Sequence, residues 1–220
     1  MDLTVAIPVR HDWQALEGTV KDLVQAGFAR NQCVALHDAD DLPPHTLTIR
    51  AVINTQQGFG GALRSGIAAC ASPWLAIVMA DGCDKLADIH AMRSLAERDN
   101  LDIVIGARLH NSQPLQGQPR TKAMLVRTAA QISRQLGGVS DPSNNFRLYR
   151  VAAIHQMHLT ETSPAIAVEI LAQARAMGLR IGEIPTHWQE KRAQPSSRYL
   201  RHVPSYTKHY FRYMLNVLRG

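Results

Sequence analysis

The seven residues at positions 74–80, Trp-Leu-Ala-Ile-Val-Met-Ala, are apolar without interruption. A strand with one face in water alternates apolar and polar side chains, so an unbroken run must be covered on both faces. The run is far shorter than the roughly 20 apolar residues that span a bilayer. It therefore reads as a strand inside a sheet with helices on both sides.

Shorter runs of strand character recur at 3–9, 33–36, 47–53 and 103–105, separated by segments of helical period. The first of these is the clearest. Asp12 can cap a helix whose apolar face carries Leu16, Val20, Leu23 and Val24, and Gly27 stops it. Helices are also expected over 61–71, 86–98 and 121–136. After Leu109 a polar loop over 111–119 leads to that last helix, a short FRLY strand, a helix through Glu169 and a strand in GLRIGEIPTHW, which together suggest a mixed sheet. With no internal repeat and no low-complexity linker, the expectation is one α/β domain: residues 1–109 as a first half, 110–203 as a second half and 204–220 as a basic amphipathic helix.

Composition limits what such a domain could be. Three scattered cysteines, Cys33, Cys70 and Cys83, give neither a disulfide framework nor zinc-ligand spacing, which favours a reducing, cytoplasmic setting. The net charge of +6 is local, because residues 187–220 hold seven Lys/Arg against Glu190 alone, while the preceding residues balance. That pattern suits a local anionic partner, a phosphate or the inner face of a membrane, rather than nucleic acid. In the final segment Tyr206, Tyr210, Met214 and Leu218 form a stripe at intervals of four, which could lie on a membrane surface or pack on the domain.

Acidic residues gather where the strands end: Asp12 after the first, Asp38, Asp40 and Asp41 after the second, Asp81 and Asp84 after the fourth. In an open parallel sheet the carboxyl ends of the strands form the ligand crevice. Like charges collected there repel unless a cation or hydrogen-bond donors offset them. A hard divalent ion bridging a diphosphate would account for Asp81 with Asp84, and capping of the next helix is the alternative for either. The stretch from Gly58 to Gly66, GFGGALRSG, follows a strand and opens a helix, where amides could face a phosphate, or where glycines could serve close packing. It follows the third strand, whereas a dinucleotide fingerprint follows the first, which argues against an NAD-dependent oxidoreductase.

Taken together these segments resemble the family 2 glycosyltransferases of the GT-A fold, and among them the dolichol-phosphate mannosyltransferase-like enzymes. IPVRHD resembles their IPxYNE opening, and LHDADDLPPHT their second-strand acidic turn. NTQQGFGGALRSGIAACASPWLAIVMADGCD resembles the glycine block leading to the metal motif, DIVIGARL the strand beyond it, DPSNNFRLYR their D-x-x-x-x-F-R-L-Y-R segment, and VEILAQARAMGLRIGEIPTHWQEKRAQPSSRY their final block. The resemblance runs from Leu3 to about Tyr199.

It implies a Rossmann-like, mixed but mainly parallel sheet. It also implies transfer of a sugar, with inversion, from a UDP- or GDP-linked donor to a polyprenyl or other lipid phosphate, using Mg2+ or Mn2+. Carried over residue by residue, Asp12 and Asp38 would hold the ribose and base, with Pro8, Gly58, Arg64, Asp81 and Arg108 completing the nucleotide-sugar site. Asp81 and Asp84 would hold the metal. Arg120, Asn145, Arg192, Ser197 and Arg198 would meet acceptor and phosphates, and Asp81, Glu169 and Arg192 would be the catalytic set. Glu169 would be a general base for a hydroxyl acceptor, but an ionised phosphate needs no base, and Glu169 would then orient its neighbours. Arg10-His11, Cys83 with Lys85, and Gln194-Pro195 depart from the family pattern. A nucleotide-sugar-binding protein that keeps the fold without transfer is the alternative, and a homodimer is left open.

Overall fold

The structure is a computed structural model of the 220-residue chain, and the residues described are 2–109, 120–136, 138–187 and 201–219. Strands β1 (Leu3–Pro8), β2 (Cys33–His37), β3 (Arg50–Ile53), β4 (Trp74–Ile77), β5 (Ile103–Ala107), β6 (Arg147–Arg150) and β7 (Ile181–Pro185) form one sheet in the order β3-β2-β1-β4-β6-β5-β7. All its pairings are parallel except those of β6, which runs antiparallel between β4 and β5. The sheet is thus mainly parallel, as its doubly covered apolar runs require.

Helices α1 (Trp13–Gln25) and α3 (Asp88–Arg98) cover one face. Helices α2 (Phe59–Ala69), α6 (Ile166–Ala176) and α7 (Val203–Arg219) cover the other, with α4 (Arg120–Gln135) and the short α5 (Val151–Ile154) completing the set. Two hydrophobic clusters result. One joins Leu16, Val20 and Leu23 of α1 to Val5, Ile7 and Val78, and the other joins Leu63 of α2 and Ile170 of α6 to Leu36, Ile77 and Tyr213. Alternate residues of β1 and β4 enter opposite clusters, so each strand buries both faces.

Element boundaries moved where local hydrogen bonding competes with the ladder. The third strand begins at Arg50 rather than 47, because the Leu47 amide closes a turn on the Pro44 carbonyl at 3.0 Å. On α1 the buried face is Leu16, Thr19, Val20 and Leu23, while Val24 is 41% exposed. The Thr19 hydroxyl donates to the Ala80 carbonyl at 2.9 Å, which supplies the partner a buried polar group needs and ties α1 to the end of β4.

The last helix packs three of the four stripe residues on the domain. Helix α7 buries His209, Tyr213 and Met214 against the domain, and Tyr206, Tyr210 and Val217 are partly buried, whereas Leu218 is 64% exposed. Polar residues pull the helix round. The Tyr213 hydroxyl accepts from the Val139 amide at 2.8 Å, His209 Nε2 lies 3.0 Å from the Glu161 carboxylate, and Asn216 donates to the Ala172 carbonyl at 2.8 Å. No described helix is long and apolar enough to cross a membrane.

Candidate functional site

Strand order decides which side chains meet. From β1 the chain moves outward through β2 and β3, then returns to place β4 on the other side of β1. Connections leave β1 and β4 in opposite directions, which opens a crevice outside their carboxyl ends. Asp12 follows β1, Asp38 follows β2 and Asp81 follows β4, so the three acids close three neighbouring strands at one edge.

Each has a defined local job. Asp12 caps α1, its Oδ1 accepting from the Ala15 amide at 3.2 Å. Asp38 is buried, accepts from Asn54 Nδ2 at 2.8 Å and has the Arg10 guanidinium 3.8 Å away. Pro8 is the last residue of β1, opposite Leu36. Asp41, which sequence reasoning noted only as part of an acidic run, staples the first two turns together. Its carboxylate accepts from the His11 amide at 2.5 Å and from the Trp13 indole at 2.8 Å. Burial opposes its ionisation, but the hydrogen bonds from His11 and Trp13 outweigh it and hold the carboxyl below its usual range. His11 adopts φ +57, a left-handed conformation uncommon outside glycine, and so the Arg10-His11 departure from the family pattern marks a fixed turn.

The loop after β4 carries the metal candidates. Asp81 Oδ1 accepts from the Cys83 amide at 3.1 Å and its side chain is partly exposed. Asp84 is buried, with Oδ2 accepting from the Met79 amide at 3.2 Å. Neither caps α3, whose N-cap is Ala87 without a side-chain bond. Burial pushes Asp84 up to about 7, the Met79 amide opposes this, the Asp81 charge adds to it, and Arg108 pulls it back. Two carboxylates close enough to feel one another, one of them resisting ionisation because of burial, fit a hard divalent cation that would relieve both effects. Lys85 takes no part, since its ammonium pairs with Asp88 at 3.1 Å. Among the described residues no third His, Cys, Asp or Glu completes a protein-only cluster.

Arg108, expected to meet a phosphate, is instead locked in a buried pair. Its Nε and Nη2 donate to Asp141 at 2.8 and 3.0 Å, and its amide reaches the same carboxylate at 3.1 Å. Burial disfavours the guanidinium charge, but Asp141 more than compensates, and Asp84 and Tyr206 act in the same direction. Arg108 therefore stands as a fixed charge within electrostatic reach of Asp84. Asp141 is the acid of the DPSNNFRLYR segment, and its spacing before the strand was the available signal for it. Glu183 of β7 accepts from the Ser140 and Asp141 amides at 2.8 and 3.1 Å, fixing that turn. Asn145, just before β6 at the same edge, donates to the Pro164 carbonyl at 3.4 Å, and its buried Oδ1 has no partner among the described residues.

Gly58, Arg64 and Glu169 form a separate group. A Cβ on Gly58 would sit 2.7 Å from the Thr162 carbonyl oxygen, one on Gly60 would sit 2.0 Å from that of Glu161, and the Gly60 amide donates to Thr162 at 2.8 Å. The glycines admit the 160–163 segment, and the Gly60 amide is already engaged by it, which is the close-packing alternative for this stretch. Arg64 donates to the Glu161 carbonyl at 2.6 Å. Glu169 accepts from the Thr160 and Glu161 amides at 3.0 Å each and is 3% exposed, the geometry of an orienting residue rather than of a base with room for a substrate. The side chain of Arg120, at the start of α4, and Arg192, Ser197 and Arg198 lie outside the described residues.

Comparisons with known proteins agree with this fold. The family model described as glycosyl transferase family 2 matches residues 4–157. A dolichyl-phosphate beta-glucosyltransferase of Trichomonas vaginalis is 24% identical over 153 residues, covering 67% of this chain but 47% of its own length. The chain thus spans about half the length of that curated relative. Among solved structures, glucosyl-3-phosphoglycerate synthase of Mycobacterium tuberculosis in complex with Mn2+ and UDP-glucose superposes with a TM-score of 0.71 at 13% identity, over 95% of this chain and 78% of that one. The same enzyme with Mn2+, UDP-glucose and phosphoglyceric acid gives 0.70 at 12% identity, over 96% and 80%. At such identities the likeness is one of fold, the GT-A arrangement.

Proposed function

The chain belongs to glycosyl transferase family 2, and from that premise we propose that it moves a sugar from a UDP- or GDP-linked donor to a lipid phosphate. The observation that carries this reading is that Asp12, Asp38 and Asp81 close three adjacent strands at one edge of the sheet, with Asp84 buried behind Asp81. A nucleotide lying across that edge would meet Asp12 and Asp38 at its ribose and base, next to Pro8. Its diphosphate would reach Asp81 and Asp84, the residues that would hold Mg2+ or Mn2+. The ion would supply charge neutralisation for the departing nucleotide diphosphate.

The protein's own contribution is positioning and electrostatics. Arg108 is prevented from moving by Asp141, so its positive charge beside Asp84 is preorganised and costs no reorganisation during transfer. Asn145 offers a buried acceptor at the same edge. Arg120, Arg192, Ser197 and Arg198 would meet the acceptor phosphate. That phosphate is ionised near neutral pH, so one in-line displacement with inversion needs no general base, and this agrees with Glu169 being occupied by backbone amides. The curated relative acts on dolichyl phosphate, which supports a lipid acceptor. Helix α7 presents Phe211 and Leu218, each more than half exposed, beside Lys208 and Arg212, which supports peripheral contact with an anionic membrane.

The test is to incubate the protein with UDP- and GDP-sugars, Mg2+ or Mn2+ and short-chain polyprenyl phosphates, follow nucleotide release and assign the anomeric configuration of the product. Transfer with inversion that Asp81→Ala abolishes is expected. Donor binding without any transfer, unaffected by chelator, would replace this reading with that of a nucleotide-sugar-binding protein.

A further inference from the structure

Between α4 and α7 the structure holds a cavity of about 170 Å3 that no element of the reading above uses. Its walls are mainly hydrocarbon, from Leu125, Val126 and Ala129 of α4, Val168 of α6, and the rings of Tyr206 and Tyr210 of α7. The recess is open to solvent, so its hydrocarbon walls are apolar surface left in water, which a nonpolar ligand would gain by covering. The Tyr210 hydroxyl, which could have made the wall polar, is bonded to the Ala129 carbonyl. Where the cavity opens, Leu125 is 46% exposed and Met124, next to it in the chain, is 70% exposed.

The position of this cavity relative to the acid edge gives it meaning. Ser143 forms part of its wall, and the Ser143 hydroxyl accepts from Arg108 Nη2 at 3.2 Å. Arg108 in turn follows β5 at the edge where the acids collect. Hydrogen-bonded contact therefore leads from that edge, through Arg108 and Ser143, to a hydrocarbon-lined recess. A ligand that matches it carries phosphate at one end and hydrocarbon at the other. A small polar acceptor such as a phosphorylated hydroxy acid would cover the first part and leave the recess bare.

We propose that this recess takes the first hydrocarbon units of the acceptor's tail and so selects a lipid phosphate over a soluble phosphate. The inference rests on the lipid-phosphate reading above and adds the place where the tail is recognised. Because Arg108 is paired with Asp141, the recess contributes apolar contact and not charge, so it should read chain length and be indifferent to the nucleotide sugar.

Two variants test it. Ala129→Leu fills the recess and keeps the backbone carbonyl that Tyr210 uses, and Leu125→Asp places a charge at the exposed mouth, where folding tolerates it. Binding of methyl phosphate and of citronellyl phosphate, which carries two isoprene units, is measured by calorimetry together with that of the donor. Transfer is measured to the same acceptors. The wild type should bind citronellyl phosphate at least about tenfold more tightly than methyl phosphate. Each variant should lose most of that difference, with a matching rise in KM for the citronellyl acceptor and donor affinity changed less than about twofold. If the wild type binds the two phosphates equally, or if both variants keep the preference, the recess is not the tail site. Wild-type transfer to citronellyl phosphate that persists in both variants overturns the recess alone. Failure of transfer to any phosphate overturns the functional reading, and the binding measurements still decide the recess.

Discussion

Arg108 and Asp141 face one another through two parallel hydrogen bonds of 2.8 and 3.0 Å, the carboxylate wholly buried and the guanidinium 11% exposed. The pair joins the end of β5 to the turn that precedes β6, across the edge where the acids collect. Removing one partner leaves the other charge buried and unmatched, which costs about 3–5 kcal/mol. Asp141→Ala should therefore lower the unfolding free energy by roughly that amount in urea titration. The double variant Arg108→Met with Asp141→Leu should recover much of the loss, since an apolar pair of similar volume carries no desolvation penalty.

The glycine turn makes a sterically sharp prediction. At Gly60 a methyl group would lie 2.0 Å from the Glu161 carbonyl oxygen, which is backbone and has little room to yield. Gly60→Ala should destabilise the protein by several kcal/mol or prevent folding, whereas Gly18→Ala, with nothing within 4 Å, should raise helix stability by about 0.5–1 kcal/mol. Thermal unfolding of the two variants side by side provides the check.

Glu161 predicts an acid limit. Burial opposes its ionisation, yet hydrogen bonds from Ser163, His209 and Ser205 outweigh it and bring the carboxyl down to about 2 from 4.5. For an acid whose folded value is depressed, the stabilisation is complete above the unfolded value and is lost as pH falls from about 4.5 through about 2. Glu161→Gln should flatten that part of the stability profile and loosen α7, seen as faster amide exchange around His209.

Asp84 has the opposite sign. Its folded value near 7 lies above the ordinary 3.8, so the metal-free protein loses stability as pH rises between those values. Asp84→Asn should be more stable than the wild type at pH 8 in the presence of chelator. Adding Mn2+ should raise the wild-type melting temperature and leave that of Asp84→Asn nearly unchanged.

Much of this arrangement could be read from the chain because its signals are local. The doubly apolar run at 74–80, the Asp12 cap and the acids after successive strands each depend on neighbours in sequence, and the sheet put those acids at one edge. Contacts between distant segments were harder to foresee. Nothing near Arg108 in sequence shows that Asp141 would take its guanidinium, and nothing in GFGGALRSG shows that segment 160–163 would press against it. The four-residue stripe on α7 left membrane contact and packing on the domain both open for the same reason. Buried polar partners, His209 with Glu161 and Tyr213 with Val139, fixed the rotation of that helix where apolar spacing alone left two faces open.

Strand β6 has a practical consequence for anyone recombining these proteins. It comes from the later half of the chain, yet among the described strands it alone joins β4 to β5, which do not pair with each other. A fragment ending at residue 109 would leave two inner strand edges open, an arrangement prone to aggregate. Chimaeras that exchange acceptor specificity between relatives should therefore cross over after residue 150, so that the donor half travels with the strand that closes its sheet.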